Sequence, residues 1–147
     1  MRHRSWAVLA LIAASAAPGA AYAQDTEVVV EVTGLRSSKG MVRACLTAQA
    51  EAFPNCDKDP HARKLNVAAA PEVRLDFGAV PEGRYAIAVI HDENGNGKLD
   101  TTLMIPREGF GFSRDAPVHM SAPHFDKAAF DVPAQAAHLT LKMRYLL

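Results

Sequence analysis

The sequence has little of what marks most soluble enzymes and nucleic-acid binders. Its 16 basic residues are cancelled by 16 acidic ones, so there is no basic surplus to meet a phosphate backbone and no nucleic-acid partner is expected. It contains no Walker loop, no dinucleotide-binding glycine fingerprint, no HExxH and no GxSxG, which removes the commonest routes to nucleotide, zinc-protease and serine-hydrolase chemistry. Cysteine occurs twice and tryptophan once. No stretch keeps a helical hydrophobic period, and there is no internal repeat or low-complexity tract, which argues against a helical bundle or a solenoid. With 49% apolar and 22% charged residues, the composition is that of a globular chain rather than a disordered one.

The longest apolar run, Trp6–Ala21, is shorter than the ~20 residues a membrane-spanning helix needs and is interrupted by Pro18-Gly19. It follows Arg2 and Arg4 and precedes Ala21-Tyr22-Ala23, with small residues at the −3 and −1 positions before Gln24. This is the pattern of a secretory leader over residues 1–23. Residues 24–147 are then expected to form a single domain, periplasmic or secreted, with no membrane span after leader removal. Without the leader the chain keeps 14 basic residues against 16 acidic ones. In an oxidising compartment the only two cysteines, Cys45 and Cys56, are expected to form a disulfide that staples the domain.

Alternation with period two recurs. Val28, Val30 and Val32 share one face of residues 27–33, and Val42, Ala44 and Leu46 one face of residues 41–46. Val73, Leu75 and Phe77 alternate with Arg74 and Asp76, and Leu139, Leu141, Met143 and Tyr145 with Thr140, Lys142 and Arg144. Such segments read as half-buried strands of antiparallel sheets, whereas residues 85–90, apolar on both faces, read as a central strand. Val80-Pro81-Glu82-Gly83 is a tight turn with Pro81 presetting φ. Residues 48–70 form a long mixed excursion. The expected architecture is all-β: a two-layer antiparallel β-sandwich of immunoglobulin-like or transthyretin-like type with about seven strands.

Residues 91–100, His-Asp-Glu-Asn-Gly-Asn-Gly-Lys-Leu-Asp, are the most informative stretch. Asp92, Asn94 and Asn96 occupy alternate positions of an oxygen-ligand loop, Gly97 supplies its sharp turn, Lys98 offers a carbonyl and Asp100 a second carboxylate. Hard oxygen donors in this register point to Ca²⁺. Leu103 stands where an EF-hand has its bidentate glutamate, and the preceding residues are strand-like, so affinity should be weak; Glu108 is a candidate to fold back and complete the shell. The competing reading is a metal-free turn made by the two Asn-Gly pairs.

The stretch from Val80 to Asp100, followed by Ile105-Pro106-Arg107-Glu108-Gly109-Phe110-Gly111-Phe112-Ser113 and by residues 122–130, resembles the domain of unknown function 2141 family of exported bacterial proteins. The resemblance covers essentially all of residues 24–147. It implies an extracytoplasmic β-sandwich and carries no activity or catalytic residue with it.

These readings combine into an exported non-enzymatic binding or structural module. Its acidic loop would hold Ca²⁺ and rigidify an end contacting an envelope protein or a small ligand, with Glu108, Phe110 and Phe112 as partner-binding residues. The two rings serve either as an exposed platform or as a plug made possible by close backbone approach at Gly109 and Gly111. An alternative is a small hydrolase or lyase working with Glu108, Asp92 or His91 in a cleft between the loops. A third reading is a copper or zinc site made by His119, Met120 and His124.

Overall fold

The computed structural model describes residues 23–135 and 138–147; apart from Ala23, the expected leader lies outside the described residues. The described chain is all-β, with ten strands: β1 (Thr26–Thr33), β2 (Met41–Thr47), β3 (Arg63–Ala68), β4 (Val73–Val80), β5 (Gly83–Asp92), β6 (Thr101–Thr102), β7 (Ile105–Pro106), β8 (Gly109–Phe112), β9 (Phe130–Val132) and β10 (Leu139–Lys142). One single-turn α-helix, Phe125–Ala128, and two 3-10 turns, Ala50–Ala52 and Ser113–Asp115, interrupt them. The count exceeds the expected seven, and three of the ten are only two or three residues long.

Three strands form one sheet in the order β10-β1-β4, and a second sheet runs β3-β2-β5-β8, with β9 also paired to β5. The alternating valines of β1 explain the first sheet: Val28, Val30 and Val32 are fully or almost fully buried. They share one apolar cluster with Val73, Leu75 and Phe77 of β4, Val42, Ala44 and Leu46 of β2, and Ile87 and Val89 of β5. Both sheets therefore contribute to the same core. The tight turn at Pro81 carries the chain from β4 in one sheet to β5 in the other.

One expectation is corrected: the pairing is not antiparallel throughout. β10 lies parallel to β1, with Val30 opposite Leu139 and Val32 opposite Leu141. Periodicity reports which face of a strand is apolar but not the direction of its neighbour, and parallel neighbours need a long connection; here nearly the whole domain separates the two. Beyond β10 the chain reaches the other sheet, where Phe110 and Arg144 exchange backbone hydrogen bonds at 3.0 and 2.8 Å.

β5 is central, as its two apolar faces predict, and pairs with β2 on one side and with β8 and β9 on the other. Its second face belongs to a separate cluster. There Ala86 and Ala88 meet Cys45, Cys56, Phe110, Phe112, Ala116 and Ala128, with Phe53 and Phe125 packed against them. Cys45 and Cys56 are disulfide-bonded with their Cα atoms 6.3 Å apart, which pins the excursion after β2 onto this face. Closing so short a loop contributes roughly 2–3 kcal/mol. A buried carboxylate, Asp59, reinforces the pin: it accepts from the Thr47 hydroxyl, from Gln49 Nε2 at 3.1 Å and from the His61 amide at 2.8 Å.

Candidate functional site: an acid-anchored loop beside an apolar cleft

The acidic loop leaves the end of β5, and Asp92 is its anchor. The Asp92 side chain is fully buried. One carboxylate oxygen accepts the Asn96 amide at 3.0 Å; the other accepts the Gly97 amide at 2.8 Å and Nε of Arg43 from β2. Burial by itself would push this carboxyl up, but the hydrogen bonds from Arg43, Gly97 and Asn96 outweigh it and hold the group below the usual carboxylate range. Gly97 adopts φ +86°, a conformation glycine reaches without strain, so the loop can turn back over the anchor.

Outside the anchor, Asn94, Asn96 and Asp100 converge. Asn94 Nδ2 donates to Asp100 at 2.6 Å and Asn96 Nδ2 at 2.9 Å, while the two amide oxygens accept backbone N–H groups of Asn96 and Lys98 at 3.1 Å in Asx turns. The Asn96 and Asn94 donors lower the Asp100 carboxyl. Glu108 does fold back on the loop, as the sequence suggests, but as an acceptor of backbone amides. Buried at 5% exposure, it takes the Glu93 amide at 2.8 Å and the Asp100 amide at 3.0 Å, tying the two ends of the loop together. Among the described residues no group of three or more His, Cys, Asp or Glu side chains forms a metal-sized cluster.

The remaining candidate acids and bases are also committed internally. His91 is fully buried. Its Nε2 donates to the Lys39 carbonyl at 2.8 Å. Tyr145 accepts the Arg36 amide at 3.1 Å, which leaves its own proton for His91 Nδ1 at 2.8 Å. Glu93 meets Arg36 at 2.6 Å and Ser37 at 2.9 Å; these contacts overcome burial and lower its carboxyl. Ser113 accepts the Ile87 amide at 2.9 Å and donates to the Ala128 carbonyl. His124 stands at the start of the short helix, exposed, whereas His119 and Met120 lie on the rim of a cleft.

The aromatic-glycine segment is a strand, β8, and its alternation separates the two residue types. Phe110 and Phe112 point away from the shared core and are 3% and 8% exposed, so they are not an open platform. Gly109 and Gly111 face the C-terminal segment at close quarters: a Cβ on Gly109 would lie 2.5 Å from the Tyr145 ring, and one on Gly111 would collide with Leu141. A four-residue strand that is half glycine lies below the length at which alternation is visible in sequence, which is why no strand is read there.

The outer face of the five-stranded sheet floors a cleft of about 780 Å³, a feature the sequence does not disclose. Strand register sets its polarity. One row across the sheet runs Asn66, Arg43, Ile90, Phe110, and the next Lys64, Cys45, Ala88, Phe112. The β3–β2 side is thus polar and cationic and the β5–β8 side apolar. Lys98 and Met104, Ile105 of β7, and Val118 and Met120 complete its lining. Met104 and Met120 are almost wholly solvent-exposed, at 93% and 107%. Arg43 joins the two features, since it lines the cleft and holds the buried anchor of the loop.

An all-β core with an acid-anchored loop at one end and an open amphipathic cleft beside it is the class of protein defined here. The family model described as "Uncharacterized protein conserved in bacteria (DUF2141)" matches residues 30–140, and the chain belongs to that family. No curated protein and no solved structure matches it. No helix among the described residues is long and apolar enough to cross a membrane.

Proposed function

We propose that this protein is an exported, non-enzymatic binding module built on a two-layer β-sandwich of immunoglobulin-like or transthyretin-like type. The carrying observation is the contrast between its two polar features. Asp92, Glu108, His91 and Ser113, the groups an acid–base or nucleophilic mechanism would draw on, serve as internal hydrogen-bond partners, while the adjoining cleft presents exposed apolar side chains, the usual mark of an interaction site.

The acidic loop is assigned to weak Ca²⁺ binding through Asp92, Asn94, Asn96, the Lys98 carbonyl and Asp100. What favours this is the donor set and the meeting of Asn94, Asn96 and Asp100 within 2.6–2.9 Å. The asparagine amide nitrogens now face Asp100, and the buried Asp92 oxygens accept the Asn96 and Gly97 amides and Arg43. Ion binding therefore requires both asparagine amides to rotate and present oxygen, and the Asp92 carboxylate to give up donors to the ion. A bound ion would stiffen the loop, and through Asp92 and Arg43 the cleft wall.

The test is a thermal melt of the oxidised protein in EDTA and then in millimolar Ca²⁺, Mg²⁺ or Zn²⁺, beside Asp100→Ala. An ion at ~100 times its dissociation constant adds about 2.7 kcal/mol. A Ca²⁺-selective rise absent from Asp100→Ala supports the assignment; melts unchanged by every ion make residues 91–100 a metal-free turn.

A further inference from the structure

We propose that the cleft takes a single-chain amphiphile with an anionic head, of the fatty-carboxylate class. The inference rests on reading the chain as a binding module and adds the chemistry of what is bound.

The first observation is where apolar surface is left open. Six large hydrophobic side chains among the described residues are exposed, and four of them, Met104, Ile105, Met120 and Leu146, line this one cleft. Scattered exposed hydrophobics are ordinary, but a set gathered round a concavity marks a site for an apolar partner. Methionine suits a hydrocarbon chain because its unbranched thioether adapts to a flexible shape. The volume falls within the range of small-molecule sites.

The second observation is charge complementarity within the same cleft. Of the three cations there, Lys64 is paired with Asp57 at 2.9 Å and Arg43 with Asp92, while Lys98 has no ion-pair partner within 4.0 Å among the described residues. Arg43 uses Nε on Asp92 and one Nη1 hydrogen on Asn66 at 3.0 Å. Three of its five N–H donors remain for a ligand oxygen. A carboxylate placed between Lys98 and Arg43 would leave its chain running across Ile90 and Phe110 toward Met120. A purely apolar ligand would waste the cationic side, and a polar one the methionines.

The experiment is isothermal titration of the oxidised full chain with decanoate below its micelle concentration, with 1-decanol and hexanoate as comparisons. Phosphatidylglycerol vesicles are tested by co-sedimentation. Decanoate should bind one-to-one with a micromolar dissociation constant, at least about tenfold tighter than decanol, and hexanoate should not bind. The surface substitution Lys98→Gln should lower decanoate affinity toward that of decanol, leaving the Arg43 donors as the remaining head contact. Met104→Asp, Met120→Asp should abolish binding without altering the melt, since both side chains are exposed. Equal binding of decanol and decanoate overturns the head assignment and leaves the binding-module reading standing. Vesicle association without monomer binding overturns the proposal in favour of a membrane surface. No binding of any compound overturns both this proposal and the cleft as the module's site, whatever the ion melts show.

Discussion

Glu108 holds the backbone amide of Asp100 at 3.0 Å across eight residues of sequence, and with its other oxygen the amide of Glu93 at 2.8 Å. One buried side chain thereby closes the acidic loop on itself. In Glu108→Gln one oxygen becomes an amide nitrogen, which cannot accept, so one part-buried N–H loses its partner. The expected loss is about 1–3 kcal/mol, read by urea denaturation. Hydrogen exchange should quicken at the Glu93 and Asp100 amides and stay unchanged on β1.

The buried Asp92 carboxylate sets an acid limit on stability. Its carboxyl, like that of Glu93, is lower in the folded chain than in the unfolded one. The stabilisation is therefore fully present above the unfolded carboxylate range, near pH 4. It is lost as pH falls through the folded value, because the unfolded chain takes up protons first. Chemical denaturation from pH 7 to pH 2 should show stability falling below about pH 4, with a shallower fall in Arg43→Ala. That variant should also lose about 1.5–3 kcal/mol at pH 7, as a charged hydrogen bond to a buried acid disappears. An unchanged acid limb in Arg43→Ala would remove the pair from this role.

Arg63 protects a sheet edge. From β3, an edge strand of the five-stranded sheet, its guanidinium donates to the Phe77 carbonyl at 3.3 Å and the Ala79 carbonyl at 3.1 Å on β4, the edge of the other sheet. Unpaired edge carbonyls invite strand addition from a second chain. Arg63→Ala should leave the monomer folded but shift it toward concentration-dependent association, measured by sedimentation velocity. Arg63→Lys, with one compact ammonium in place of the fork, should fall between the two.

The two Asn-Gly pairs should age at different rates. Deamidation at Asn-Gly proceeds by attack of the glycine nitrogen on the asparagine side-chain carbonyl, with loss of ammonia and addition of water. The Gly97 N–H is engaged by Asp92 at 2.8 Å, whereas the Gly95 N–H has no hydrogen-bond partner among the described residues. Peptide mapping after incubation at mild alkaline pH should find conversion at Asn94 ahead of Asn96. Conversion of Asn96 first would mean that the Gly97 hydrogen bond opens readily in solution.

How much of this was legible in the chain depends on the length over which each signal runs. The alternating valines of β1 and the two-faced apolar run of β5 place those strands from sequence, because each pattern runs over six or seven consecutive residues. β3 lies inside what reads as a mixed excursion: Arg63, Lys64 and Asn66 mask the half-buried Leu65 and Val67 between them. β8 and β9 are too short to carry a period.

By itself the sequence determined the all-β class, the cysteine pair and the residue types of the acidic loop, since these depend on local pattern and on chemistry that each side chain carries wherever it goes. Only the tertiary structure decided what those residues face. It turned Asp92 and Glu108 inward onto backbone amides, set β10 parallel to β1, and placed cationic and apolar strands side by side on one sheet face. The reason is physical: hydrogen-bond partners and cleft walls come from segments far apart in the chain, as with Arg43 and Asp92 or Lys98 and Met120, and no local pattern records which distant segment will arrive beside them.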